Sequence, residues 1–182
     1  MKAIIKGIAA ILLVGFSLVS CNGEQSLQEY YVDNQENSDF ILVDVPTSLI
    51  SDDSEVLDAE QKKILKTLRK INIMAYPLKE STKVNFEAEK LKVNTILASD
   101  DYEELMKVNS DQGSLKLYFR GEEDAIDEVI VFASEDSKGF MLARLLGNDM
   151  NISDMMKLAE AVGKGDVDVS QFEGVMDVFK DI

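Results

Sequence analysis

Carboxylates are the reactive side chains this sequence offers most freely: it holds 34 acids against 19 lysines and arginines, one cysteine and no histidine. They cluster at Asp52/Asp53, Asp100/Asp101, Glu103/Glu104 and Glu122/Glu123/Asp124. Two carboxylates facing each other across a cleft, about 5 to 9.5 Å apart and with one pKa raised by burial, can hydrolyse a glycoside without histidine. Neighbouring acids in polar turns have neither the separation nor the burial, so these read as solvated surface. Asp166-Val167-Asp168-Val169-Ser170 sets out alternating oxygens like the opening of a calcium loop, with Asp177 twelfth in the run. Its sixth position is Gln171, where the sharp turn needs glycine, and it closes on Asp rather than a bidentate Glu. An acidic turn is the better reading, and no metal or other cofactor is expected. Ser137/Lys138 lacks the helical SxxK spacing of a serine–lysine nucleophile. Without histidine, His-dependent triads and His-ligated metals are excluded, and one cysteine excludes CxxC centres and internal disulfides. A net charge of -15 has the wrong sign for a nucleic-acid partner.

The cysteine is the most informative single residue. Met1 to Ser20 begins with Lys2 and Lys6, continues through the apolar run Ile8 to Val19 and holds no acid, as a secretory signal does. Twelve apolar residues are too few for a stable span of about 30 Å of hydrocarbon. Leu18-Val19-Ser20-Cys21 resembles the lipobox of bacterial lipoproteins, which implies cleavage before Cys21 and acylation of its thiol. Multiple acyl chains on Cys21 would anchor the chain durably, so the membrane is the expected partner through lipid alone. The acidic body is repelled by anionic headgroups over about 8 Å and is expected to project away from them.

Elements that could position any chemistry follow the anchor. Asn22 to Asp39 is polar and reads as a tether; Tyr30 and Tyr31 could dock on the body or open a short helix. Phe40 to Val45, closed by Pro46, predicts a first strand, and Ile71 to Tyr76, closed by Pro77, a second. Between them Leu57, Gln61, Ile64, Leu65, Leu68 and Ile71 recur at three and four residues, which predicts a helix. The basic run Lys62 to Lys70 suits that helix's C-terminal dipole and reads as a solvated face. Val84 to Leu97 predicts another helix, with Phe86, Val93, Ile96 and Leu97 as core contacts. From Leu105 a hairpin turning at Asn109 to Gly113, then runs at Ile126 to Ala133 and Phe140 to Leu146, predict an antiparallel meander. Asn151 with Asp154 caps a helix bearing Ile152, Met155, Met156 and Ala159. Ser170 with Glu173 caps a last one, whose stripe is Phe172, Val175, Met176 and Phe179.

These signals give an α+β class, an antiparallel sheet with a C-terminal-half meander and helices packed on it. The expected boundaries are 1–20 signal peptide, 21–38 lipidated tether and 39–182 a single domain. Cys21 with its signal, Ile71 to Tyr76, Tyr102 to Val108, Ile126 to Val131 and Leu145-Leu146-Gly147 are similar to a family of Bacteroidetes lipoproteins, domain-of-unknown-function family four-two-five-two. The resemblance implies an envelope location and carries over no catalytic residue. With one acid in Asn22 to Ser26, it favours the outer membrane facing the periplasm. The expected function is a non-catalytic binding or interaction module with an envelope protein partner, its candidate contacts Phe172, Met176 and Phe179. The alternative is a carboxylate-dependent hydrolase of envelope glycans or lipids. Packing of the same methionines and phenylalanines on the sheet is the simpler account of their stripe.

Overall fold

The computed structural model describes residues 25–47 and 58–157. In chain order the elements are α1 (Leu27–Asp33), β1 (Ile41–Pro46), α2 (Ala59–Leu65), β2 (Leu68–Pro77), α3 (Lys83–Leu97), β3 (Glu103–Asn109), β4 (Gly113–Glu122), β5 (Ala125–Glu135) and β6 (Gly139–Met150). Residues 152–157 are also helical. The strands form one six-stranded sheet in the order β1-β2-β6-β5-β4-β3, every pair antiparallel. The α+β class and the meander from β3 to β6 are both as expected.

Local chemistry explains where each helix starts. Ser26 accepts from the Glu29 amide at 3.2 Å while the Glu29 carboxylate accepts from the Ser26 amide at 2.8 Å. Asp58 and Gln61 make the same reciprocal pair at the start of α2. Each closes two otherwise orphaned donors. Thr82 precedes α3 without capping it: its hydroxyl accepts from the Lys79 amide at 2.7 Å and donates to the Pro77 carbonyl at 2.8 Å. The polar segment read as a tether thus contributes α1 from Leu27 onward, where Leu27, Tyr30 and Tyr31 are buried on one face.

The predicted helix after Asp58 ends earlier than its periodicity indicated. Thr67 donates its hydroxyl to the Ile64 carbonyl at 2.7 Å, and Leu68 to Ile71 belong to β2. Pairing decides the matter, because β2 is hydrogen-bonded to β1 on one side and β6 on the other, and a helix there would forfeit both ladders. A bulge between Leu68 and Lys70 absorbs the entry.

Alternation along the strands divides the core in two. Under α1 and α3 lie Tyr30, Phe40, Met74, Tyr76, Phe86, Ile130, Phe132, Phe140 and Leu142. Tyr76 stacks on Phe140 with centroids 5.3 Å apart, and Phe40 meets Tyr76 edge-on at 4.9 Å. The opposite face carries Ile64 and Leu65 of α2 against Leu68, Phe119, Ile126, Val129 and Met150. Central β5 is accordingly apolar on both faces over Val129 to Phe132, whereas edge strand β3 is exposed along its whole length.

Candidate functional site

The sheet brings two unlike surfaces together, a polar corner on the α1/α3 face and an apolar groove on the other. In the corner, the cross-strand register sets Asp44 beside Asn72 and Asn72 beside Arg144, on β1, β2 and β6. Arg144 Nε donates to Glu128 Oε1 at 2.6 Å, and both side chains are under 5% exposed. Arg144 Nη1 also donates to Gln28 Oε1 at 3.0 Å, which ties α1 to the sheet. Arg120 Nη1 stands 4.0 Å from Glu128 Oε2.

One strand away, Asp44 accepts from Tyr31 Oη at 2.5 Å, from Lys70 Nζ at 2.7 Å and from Asn72 Nδ2. Burial pushes its carboxyl up, but the bonds from Lys70, Tyr31 and Asn72 together outweigh that and hold it below the ordinary carboxylate range. Tyr31 moves the opposite way: burial raises its phenol, and the Asp44 carboxylate raises it further. The arrangement keeps Asp44 ionised and bonds Glu128 to the guanidinium of Arg144. Its chemistry is that of a clasp between α1 and the sheet.

The acid pairs named from sequence fall elsewhere. Asp100, Asp101, Glu103, Glu104, Glu122, Glu123 and Asp124 are exposed. Asp100, Asp101 and Glu103 rim a polar recess of about 370 Å³ between the end of α3 and β4. Asp52 and Asp53 lie outside the described residues, as do Cys21, the run from Asp166 to Asp177, and Phe172, Met176 and Phe179. Among the described residues no three acidic or thiol side chains converge in a way that could hold a metal ion.

On the α2 face, a groove of about 320 Å³ is lined by Ile71, Leu105, Leu117, Phe119, Val129, Val131, Leu145, Ile152, Met155 and Met156. Odd-numbered positions of β4, β5 and β6 form its floor. Asn151 places the wall beside it: its Oδ1 accepts from the Asp154 amide at 2.8 Å and starts the helical segment carrying Ile152, Met155 and Met156. Around it Leu105, Met106, Val108 and Leu115 are 36 to 50% exposed and Met156 is 54% exposed. Apolar side chains thus stand in water beside a concave apolar floor.

Sequence reasoning read the floor residues as ordinary strand positions. Two signals pointed to the finished arrangement. Arg144 stands inside the apolar run Phe140 to Leu146 of β6, and Glu128 adjoins the apolar run Val129 to Phe132 of β5, the pattern of a buried pair. Leu105, Met106 and Val108 make an apolar run on a sheet edge, where native proteins usually place charge.

Comparison with known proteins adds the family and nothing further. No curated protein and no solved structure matches the chain. A family model described as a domain of unknown function, DUF4252, matches residues 30–158, from the middle of α1 through the whole sheet to the segment that walls the groove. The chain therefore belongs to the DUF4252 family.

Proposed function

We propose that the chain is a lipid-anchored protein of the cell envelope, held through Cys21 at the outer membrane facing the periplasm, whose body is a non-catalytic binding module. The apolar groove on the α2 face carries this reading, since it offers a wide, nearly uncharged surface suited to an amphipathic helix or an extended apolar segment of an envelope partner. The polar corner supports it from the other side, because its buried acid is taken up by Arg144 rather than presented to a substrate. The anchoring half rests on the signal and the lipobox-like Leu18 to Cys21. Among the described residues no helix is long and apolar enough to cross a membrane.

Two experiments test the two halves. Cys21→Ala should abolish acylation and release the protein from the membrane fraction; unchanged recovery after carbonate washing would contradict the anchor. A photo-crosslinking amino acid at Leu105, on the groove rim, should capture one recurrent envelope protein in cells, and Leu117→Glu should abolish that capture. The same group at Leu91, 66% exposed on α3, serves as control and should not capture it. Equal capture from both positions, or release of sugars or fatty acids from envelope material by the purified protein, would overturn the binding reading.

A further inference from the structure

Strand β3 is an edge of the sheet with no neighbouring strand on its outer side among the described residues. No proline interrupts it, and every residue from Glu103 to Asn109 is exposed. We infer that two copies of the chain pair antiparallel along β3, joining their sheets into one, with Glu104 of each copy opposite Lys107 of the other. The contact runs along the strand edge and does not depend on what occupies the groove.

Unmatched charges on this edge point to a second copy. Among the described residues Glu103, Glu104 and Lys107 have no oppositely charged group within ion-pair distance. Glu104 accepts a bond from the neutral Tyr118 hydroxyl at 3.1 Å. Lys107 stands directly opposite Lys116 of β4, a like-charge pair that costs stability on its own. Lys116 Nζ donates to a neutral acceptor, Asn94 Oδ1 of α3, at 2.5 Å. Burial holds the Lys116 ammonium below its ordinary pKa, and Lys107 beside it lowers it further. The strand thus starts with acids and carries its lysine towards the end, so a second copy running the opposite way sets unlike charges together.

Register makes the match possible. About a two-fold axis normal to the sheet, residues opposite one another must point to the same face. Three residues apart in a regular strand, Glu104 and Lys107 would point to opposite faces. The bulge between Glu104 and Met106 supplies one extra residue and returns them to the same face: Glu104 lies opposite Tyr118 and Lys107 opposite Lys116, and both β4 side chains turn to the α1/α3 side. The same register sets Glu103 opposite the partner's Val108 and brings Leu105 and Met106 to the axis. Leu105, Met106 and Val108, 38 to 50% exposed in the single chain, lose contact with water there. A bulge ordinarily blunts an edge, but here the two bulges meet at the axis, and the ladder runs on either side of them. The other edge offers no such match: β1 ends in Pro46, and its Asp44 is already bonded to Lys70.

The test is sedimentation velocity of the purified full-length chain over a concentration series, with circular dichroism to confirm that each variant is folded. The wild type should pass from monomer to dimer as concentration rises, and more readily at low salt than at high. Glu104→Lys and Lys107→Glu each oppose like charges at two symmetric points and should each weaken the dimer by more than about tenfold. Mixing the two variants should restore it, because each then meets opposite charges in the other; a general effect on folding or solubility would not be rescued in this way. In cells, a photo-crosslinker at Leu105 should link two copies in addition to any partner of the groove. A monomer at every concentration, a dimer indifferent to both substitutions, a mixture as weak as its separate components, or Leu105 links to other proteins and never to a second copy would each overturn the inference. Loss of the dimer would leave the binding reading of the groove untouched.

Discussion

Replacing Arg144 with methionine should cost the fold about 3 to 5 kcal/mol. The guanidinium is 2.6 Å from Glu128, and each side chain is under 5% exposed, so its loss leaves a buried carboxylate. The remaining cation nearby, Arg120, is 4.0 Å away and about half exposed, too distant and too hydrated to replace it. Gln28 loses its donor as well, so α1 is loosened from the sheet. Against a total of about 5 to 15 kcal/mol for a domain, that loss is a large share. With an m-value of about 2 kcal/mol/M in urea, the midpoint should fall by about 1.5 to 2.5 M when followed by circular dichroism. Glu128→Leu with Arg144→Met removes both charges and should recover most of the loss, because a well-packed apolar pair is often as stable as a buried ion pair. An Arg144→Met midpoint close to wild type, or a double variant as unstable as the sum of the singles, would refute the view that Glu128 is held by Arg144.

Two further predictions follow from the same packing. All five tyrosines, Tyr30, Tyr31, Tyr76, Tyr102 and Tyr118, have phenols raised above the ordinary value, chiefly by burial, with Tyr118 pushed up to about 12. Folded-state values above the unfolded value mean that this stabilisation is complete below pH about 10 and is lost as pH rises beyond it. Ultraviolet titration at alkaline pH should show phenolate appearing together with loss of structure, and independent ionisation near pH 10 in an intact fold would contradict the burial. Gly139→Ala should destabilise by about 1 to 3 kcal/mol, since Gly139 has φ +118° and an added Cβ would lie 2.0 Å from the Tyr76 carbonyl oxygen. An unchanged melting temperature would show that the β5–β6 turn relaxes freely.

Much of the scaffold is legible in the sequence because local rules govern it. Phe86, Val93, Ile96 and Leu97 are buried on α3 as their spacing predicts, and the Asn109 to Gly113 turn joins β3 to β4. Asn151 caps the next segment as its pairing with Asp154 indicates. Longer-range pairing is what sequence periodicity misses. Leu68 and Ile71 sit at helical spacing from Ile64 and Leu65, yet β6 pairs with both and β1 with Ile71. The groove was hidden for a related reason: Leu117, Val131 and Leu145 are ordinary strand residues singly and become a floor only when β4, β5 and β6 are set side by side. The corner is similar, for Gln28 and Arg144 are 116 residues apart in sequence and bonded in the fold.

The most direct measurement of the central claim, that the α2 face is a docking surface for an apolar helix, is methyl resonance spectroscopy of the full-length chain with 13C-labelled methionines. Met155 and Met156 line the groove, whereas Met74 is buried under the helices of the opposite face. Adding an amphipathic apolar peptide should move the Met155 and Met156 signals and leave Met74 in place. Unmoved groove methionines, or a shift confined to Met74, would contradict the account.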